Sequence, residues 1–364
     1  MRDQTTDCGL PDLKGMALDA IRGLLESWGE PRYRADQIAG WVFRRDATGF
    51  ADMTNLPVEL REKLARSTMI CASDLIAAER SALDGTEKLL LEFGDGERIE
   101  AVVLRDGDRT TGCISTQVGC RLGCSFCATG AMGFIRNLTA AEIVEQILAI
   151  RRRIAPERLD NLVLMGMGEP LDNYEATLGA VRIANAAWGL GIGARRITIS
   201  TAGLVPEILR LAEEGLQLNL AVSLNAADQR LRAGIMPIAE RHPLPELVAA
   251  LETYAERTGR RVTIEYVLLG EVNDSPGDAD SLARIARKLS CKINVICYNE
   301  VCSAAYTPPT DKAVERFVTR LRSRCPTVVR RISRGGDISA GCGQLRVHRE
   351  RDAGPCGTPG RTGD

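Results

Sequence analysis

Leu162-Val-Leu-Met-Gly-Met-Gly-Glu-Pro170 is the stretch that decides how this 364-residue chain folds. Leu162 to Met167 reads as a continuous apolar strand, and it ends in glycine. Upstream, Thr139-Ala-Ala-Glu142 is a capping box that opens a helix through Arg152. Downstream the pattern repeats, with strands expected at 196–201, 218–224, 262–269 and 293–297. Helices are expected between them near 174–187, 205–214, 246–257 and 278–289, and a further one over 311–323. Strands separated by helices of this length pair in parallel through right-handed crossovers. With the strand before Cys120 they number six. An incomplete (βα)6 barrel fits better than a doubly wound sheet, because polar and glycine residues recur at the strands' C-terminal ends, the face where barrels carry their sites.

Those strand ends supply candidate ligand groups. Gly166-Met-Gly-Glu-Pro170 lacks the third glycine of a dinucleotide fingerprint and ends a later strand. In it, Gly168 lets backbone approach a ligand and Glu169 offers an acceptor for an ammonium group. Ser200 ends the next strand, Ser223-Leu224-Asn225 the one after, and Asn299 the last. Together they form a ring of small hydrogen-bonding groups around one barrel mouth, suited to an amino-acid and ribose moiety.

The first of the six strands runs into Cys113-Ile-Ser-Thr-Gln-Val-Gly-Cys-Arg-Leu-Gly-Cys-Ser-Phe-Cys127. Cys120, Cys124 and Cys127 fall in the spacing C-x-x-x-C-x-x-C. Thiolates so close cap one compact metal centre, and three are one fewer than a closed zinc or ordinary iron-sulfur site takes. One metal vertex is left open. In this the chain resembles the radical S-adenosylmethionine (SAM) superfamily, where the open iron of a 4Fe-4S cluster chelates SAM and passes it one electron. A zinc knuckle with a distant fourth ligand is the bland alternative. With only His242 and His348 in the chain, a histidine-based metal site is nearly excluded.

Composition bounds the class. A chain 45% hydrophobic has room for one large core and a smaller appended domain. There is no 18-residue apolar run and no leader-like start, so the expected location is cytoplasmic, with no membrane contact. Twelve cysteines in a large chain with a cluster motif argue for a reducing compartment. Residues 1–75 read as a small helical domain: Leu18, Ile21, Leu25 and Trp28 repeat at helical spacing, Pro31 stops that helix, and Ile38, Trp41 and Val42 form the inner face of a second. A third helix follows Leu56-Pro57. Arg32, Arg34, Arg44 and Arg45 make one face of the unit basic. Residues 76–112 read as a β-hairpin extension, Lys88–Phe93 and Arg98–Leu104 flanking Gly94-Asp95-Gly96. Glu100 shares a strand face with Val102 and Leu104, a carboxylate among apolar neighbours. The barrel is expected over 113–348. Residues 349–364, rich in glycine and proline and with almost no apolar content, are expected to be disordered.

Several motifs together look like the RlmN/Cfr family of radical RNA methyltransferases. They are the cluster loop with Gly133-Phe134 and Arg136-Asn137-Leu138, Met165-Gly-Met-Gly-Glu-Pro-Leu171, Ile197-Thr-Ile-Ser-Thr201, and Gly336-Asp-Ile-Ser-Ala-Gly-Cys-Gly-Gln-Leu345. The similarity extends into the helical unit at Tyr33-Arg-Ala-Asp-Gln37 and Met53-Thr-Asn-Leu-Pro57. It implies methylation of an adenosine in 23S rRNA and, in the RlmN branch, of the adenosine 3′ of a tRNA anticodon. It also implies a 4Fe-4S cluster, two SAM molecules per turnover, and an electron donor such as flavodoxin or ferredoxin. A monomer is expected, with the helical unit as an RNA-binding accessory domain.

The same resemblance implies two cysteines beyond the cluster, and the matching positions are Cys342 and Cys113. Carbon 2 of adenine is electrophilic, so direct polar methyl transfer is not available to it. A Cys342 thiolate first takes a methyl group from SAM. Hydrogen abstraction from that S-methyl then gives a radical that adds to the ring. In the family, the base that removes the ring proton and the thiol that releases the adduct as a disulfide fall at the positions of Glu100 and Cys113. The remaining cysteines (8, 71, 291, 297, 302, 325 and 356) read as structural or incidental. One departure is Asn225, where the family has histidine; Asn225 cannot titrate. Carbon 2 is preferred over the Cfr-type carbon 8. A noncatalytic iron-sulfur RNA-binding protein and a glycyl-radical activase are the competitors from other classes.

Charge distribution agrees with an RNA partner. Net charge is only −1, yet ten arginines between 316 and 351 face two acidic residues, so the segment carrying Cys342 is basic. With 4% aromatic residues, recognition of folded RNA shape is favoured over base stacking.

Overall fold

The structure, a computed structural model, describes residues 9–301, 305–325 and 327–345. The tail expected over 349–364 lies outside the described residues, as do Cys8, Cys302, Cys356, His348 and the arginines at 346, 349 and 351. Helices Leu18–Ser27, Tyr33–Ala39 and Val58–Ser67 bury Ile21, Leu25, Ile38, Leu60 and Leu64 against one another. The second helix continues into a π turn, Gly40–Arg44, closed by the Arg45 N–H on the Gly40 carbonyl. The wider turn brings Val42 and Phe43 inward and leaves Trp41 only half-buried, bonded to Asn55 and covered by Arg45. The expected inner position of Trp41 is corrected accordingly.

Twelve strands follow in chain order: β1 (Asp74–Arg80), β2 (Glu87–Glu92), β3 (Arg98–Asp106), β4 (Arg109–Cys113), β5 (Gln117–Gly119), β6 (Phe134–Asn137), β7 (Asn161–Leu164), β8 (Ile197–Thr201), β9 (Asn219–Ser223), β10 (Val262–Leu268), β11 (Cys291–Cys297) and β12 (Val328–Arg331). Ten of them form one open sheet in the order β1-β2-β3-β4-β7-β8-β9-β10-β11-β12, and β5 pairs with β6 beside it. From β4 to β12 every pairing is parallel, with helices such as Ala140–Ile154 and Leu244–Thr258 in the crossovers. The six expected barrel strands are β4 and β7 to β11. The structure adds β12 as a seventh, which the sequence hid because two of its four residues are arginines.

Strand β4 pairs antiparallel with β3 and parallel with β7. The boundary expected between 112 and 113 therefore falls at the end of a strand that belongs to both units, and hairpin and barrel share one sheet. The helical unit is pinned to the barrel from outside. Lys14 is buried in an ion pair with Glu145, Arg152 meets Asp46 at 2.7 Å, and Arg44 donates to the Ala187 carbonyl at 2.8 Å.

Side chains alternate across a strand, and the pairing register shows which set faces which side. Leu162, Leu164, Ile197, Ile199, Leu220, Val222, Ile264, Tyr266, Ile293 and Val295 lie on one face, and all are buried. This is the face the helices cover. The other face carries Cys113, Ser200, Ser223, Glu265, Asn294 and Arg331. The apolar core sits between sheet and helices, so the barrel interior is free to be polar.

Candidate active site at the barrel mouth

The loop carrying Cys120, Cys124 and Cys127 leaves β5 and is fixed by backbone bonds: Cys120 N–H to Gly133 O (2.9 Å), Cys127 N–H to Cys124 O (3.1 Å) and Ser125 N–H to Ile235 O (3.1 Å). Gly119, at φ +74°, lies so near Gly133 that a β-carbon there would stand 1.9 Å from its carbonyl oxygen, so only glycine fits before Cys120. The C-terminal segment is strapped to the same loop. Ala128 N–H donates to Gly343 O (2.7 Å), and the Thr129 hydroxyl to Leu345 O (2.7 Å).

One cavity of about 170 Å³ opens here. The three loop cysteines, Gly168, Glu169, Ser200, Ser223, Asn225, Glu265, Arg331 and Cys342 all line it. Among the described residues no three or more His, Cys, Asp or Glu side chains converge on a single ion. Yet Cys120, Cys124 and Cys127 share this wall; burial raises the thiols of Cys120 and Cys124, Cys127 raises both further, and Cys120 also raises Cys124. Thiols spread around a cavity suit the separate corners of a cluster better than one zinc ion. Behind them Arg232 is fully buried, donating to Leu224 O (3.1 Å) and Ala202 O (2.6 Å), its guanidinium depressed to about 10 by burial and drawn up by Cys124. A cation held beside three thiols fits a cluster of thiolates, which carries net negative charge.

Glu169 is buried with both carboxylate oxygens in use, Oε1 accepting from Leu171 N–H (3.1 Å) and Oε2 from Ala202 N–H (2.8 Å). Burial pushes its carboxyl up to about 7 against those bonds, so a cation arriving in the cavity would restore the charged form. Gly168, at φ +96°, leaves no room for a β-carbon against Gln117, whose side chain accepts from Glu169 N–H.

Not every expected ligand faces the cavity. Leu224 is turned into the core, its N–H on Glu265 O and its carbonyl taken by Arg232. Asn225 does line the cavity, but its Oδ1 accepts from Val267 N–H (3.0 Å) and its Nδ2 meets Met236 Sδ. Its φ of +57° is a left-handed conformation that asparagine tolerates well, which gives a local reason for asparagine there. Asn299 stands off the cavity and donates to the Cys342 carbonyl (3.3 Å), tying the end of β11 to that segment.

Cys113 and Glu100 stand behind the cavity wall on one face of the sheet. Cys113 pairs with Val102, two residues from Glu100, and Ser115 donates to the Glu100 carbonyl. Burial pushes the Cys113 thiol up to about 12, and Cys342 and Arg331 both lie within its electrostatic reach. Glu100 is buried with Lys88 at 3.3 Å. Cys342 is exposed at the cavity; desolvation raises its thiol, Arg331 lowers it and Glu265 raises it further. All described cysteines are free, so no disulfide joins Cys113 to Cys342 in this state.

The sequence reading missed Gln117, Arg232, Glu265, Asn294 and Arg331 as parts of this site. Glu265 had a signal, a lone carboxylate inside the strand Val262–Leu268. Arg331 was counted only as one of a basic run. Each arginine of the helical unit's basic face has a partner in the chain: Arg32 with Glu26, Arg34 with Gln37, Arg44 with the Ala187 carbonyl and Arg45 with Trp41. No described helix is long and apolar enough to cross a membrane.

Residues 114–283 match the radical SAM superfamily, and residues 11–70 match the ribosomal RNA large subunit methyltransferase N-terminal domain. The dual-specificity RNA methyltransferase RlmN of Geotalea uraniireducens is 44% identical over 92% of this chain and 96% of its own length. That of Anaeromyxobacter dehalogenans is 44% identical over 92% and 91%. The crystal structure of a radical SAM methyltransferase from Sphaerobacter thermophilus superposes with a TM-score of 0.88 at 47% identity, covering 92% of this chain and 99% of that one.

Proposed function

The chain belongs to the RlmN family of radical SAM RNA methyltransferases, and from that premise we propose that it methylates carbon 2 of an adenosine in 23S rRNA and of the adenosine 3′ of a tRNA anticodon. The observation that carries this reading is the presence of Cys342 on the wall that also holds Cys120, Cys124 and Cys127, with Cys113 in electrostatic reach. Cys120, Cys124 and Cys127 would hold a 4Fe-4S cluster, which when bound would supply the electron for reductive cleavage of SAM. Gly168, Glu169, Ser200 and Ser223 hold the SAM, Glu169 taking its ammonium. Leu224 and Asn225 shape that pocket through backbone geometry, and Asn299 acts by fixing the Cys342 segment.

Cys342 accepts a methyl group by displacement from a first SAM, forming the S–CH3 bond as the sulfonium C–S bond breaks. Loss of a hydrogen atom from that methyl group lets its carbon bond to carbon 2. Glu100 accepts the ring proton. Cys113 then attacks the Cys342 sulfur: the S–S bond forms as the bond from Cys342 sulfur to the methylene carbon breaks, that carbon takes the Cys113 proton to complete the methyl group, and the one electron left on the radical adduct passes to a one-electron acceptor. Residues 1–75 serve as the RNA-binding accessory domain, and the protein works as a cytoplasmic monomer fed by a one-electron donor such as flavodoxin or ferredoxin.

The test separates the two thiols. Cys342→Ala yields protein that is neither S-methylated nor attached to RNA. Cys113→Ala is methylated on Cys342, attacks its adenosine and stalls, so it purifies with RNA bound covalently, visible as a nuclease-sensitive shift on a denaturing gel. Nucleoside mass spectrometry of RNA treated with wild-type enzyme shows 2-methyladenosine. Normal turnover by Cys113→Ala, or RNA attached to Cys342→Ala, would overturn these roles.

A further inference from the structure

Glu265 projects from β10 into the barrel and is 5% exposed. Its Oε1 accepts from Asn294 Nδ2 at 2.8 Å, and its Oε2 has no hydrogen-bond partner. Arg331 Nη1 stands 3.7 Å from Oε2, an ionic neighbour beyond hydrogen-bond distance. A buried charged acceptor left without a donor is unfavourable, and such atoms in a folded protein call for an explanation. Asn294 sits directly across on β11 and fixes the carboxylate through Oε1, so that Oε2 is the free end. Glu265 and Arg331 line the same cavity as Cys342, and both act electrostatically on its thiol. The unpartnered oxygen therefore belongs to a side chain that lines the same cavity as Cys342, where a base must lie to be attacked, and its strand neighbour is Ser223 on β9.

We propose that Glu265 Oε2 accepts a hydrogen bond from the exocyclic 6-amino group of the target adenine, which makes Glu265 the residue that selects adenine over guanine. This rests on the adenosine reading given above. In adenine the 6-amino group and carbon 2 flank the same ring nitrogen, so one side chain can hold the amino group while Cys342 stands over carbon 2. Guanine presents a carbonyl oxygen at position 6, which would meet the carboxylate oxygen acceptor to acceptor. A site built around a buried hydrogen bond rejects a partner that cannot complete it far more strongly than an apolar pocket can. Asn294 is the positioning residue, acting through Glu265.

The experiment is a cycle between protein and RNA. Full-length, cluster-loaded wild type and Glu265→Gln are compared on anticodon stem-loop transcripts carrying adenosine, or purine riboside that lacks the amino group, 3′ of the anticodon. Glutamine keeps an acceptor for Asn294 and replaces Oε2 with a donor. Wild type should lose more than about 200-fold in kcat/KM when the amino group is removed, beyond what one apolar contact gives. Glu265→Gln should lose a similar factor on adenosine and nothing further on purine. SAM binding and uncoupled deoxyadenosine formation should be unchanged in the variant.

Additive losses would overturn the assignment, and so would an equal loss in SAM binding, which would place the carboxylate on the cofactor. Wild-type enzyme indifferent to the missing amino group overturns it too, without any variant having to fold. Failure of the substrate reading itself is seen separately, as wild-type enzyme that leaves the adenosine transcript unmethylated, and it removes this inference with it.

Discussion

Arg330, Arg331 and Arg334 lie together in sequence, and the structure gives them three different duties. Arg330 and Arg331 are neighbours in β12 and so point to opposite faces. Arg330 is exposed outside the sheet, paired at 3.1 Å with Asp311, itself 96% exposed. Pairs as exposed as this contribute about 0 to 1 kcal/mol, so an RNA phosphate can displace the aspartate. Arg331 faces inward beside Glu265 and Cys342, and Arg334 clamps Asp106 (2.6 Å) and the Arg105 carbonyl (2.5 Å). Each is replaced singly by glutamine. A lost phosphate contact lowers the slope of log K against log salt by about 0.7 to 0.9, which at 0.15 M salt is a loss of about four- to six-fold in affinity. Arg330→Gln should show that change and keep its chemistry. Arg331→Gln should leave the slope intact and lose methyl transfer, and Arg334→Gln should leave the slope intact and lower stability. Fluorescence anisotropy of labelled RNA from about 50 to 200 mM salt reads the slopes. A slope flattened as much by Arg331→Gln as by Arg330→Gln would refute the division, because a side chain inside the barrel cannot reach the RNA backbone and the cavity at once.

The ion pair that docks the helical unit should respond asymmetrically. Glu145→Leu leaves the buried Lys14 ammonium without its bonded partner and should cost about 3 to 5 kcal/mol in urea unfolding, whereas Lys14→Met leaves Glu145 held by Arg152 (2.5 Å) and Ser73 (3.0 Å) and should cost about 1 to 3 kcal/mol. Equal costs would mean that Arg152 and Ser73 do not carry Glu145. For the cluster, anaerobically reconstituted wild type should bind about four irons per chain, and Cys124→Ala should lose both the iron and the change that SAM makes in the spectrum of the reduced cluster. Full iron content in that variant would remove Cys124 from the ligand set.

Much of the fold could be read because it is written locally. The Thr139–Glu142 box forms as expected, with Glu142 N–H on Thr139 Oγ1 (3.2 Å) and Thr139 N–H on Glu142 Oε2 (2.8 Å). The apolar runs at β7 to β11 needed no long-range knowledge either. What escaped was the face each residue takes. Val163 and Met165 share the inner parity of β7 with Cys113, yet as apolar residues they make Leu162–Met167 look uniform. In β10 the same inner parity holds Glu265, and the carboxylate shows. Strand β12 is short and half charged, so neither period nor propensity marked it. The π turn at Gly40–Arg44 shifts a helical face by one residue with no residue type that announces it.

The position of Cys342 has a different origin and could not come from local sequence at all. It is set by bonds between segments far apart in the chain: Ala128 to Gly343, Thr129 to Leu345 across 216 residues, and Asn299 to the Cys342 carbonyl across 43. Two of these reach the helix that follows the cluster loop, and the third reaches the end of β11. The segment is thus anchored through the backbone carbonyls of Cys342, Gly343 and Leu345, while the thiol itself stands at the cavity. Cys113, by contrast, is held inside β4 and its thiol is buried. A sulfur that must carry a group from one molecule to another needs access from the cavity. A sulfur that acts only on the first sulfur, after the base is joined, must be kept from the incoming SAM methyl. Burial does that twice, by blocking approach and by holding Cys113 in its un-ionised form. The order of the two thiols proposed above matches where the fold places them, with Arg331 in electrostatic reach of both.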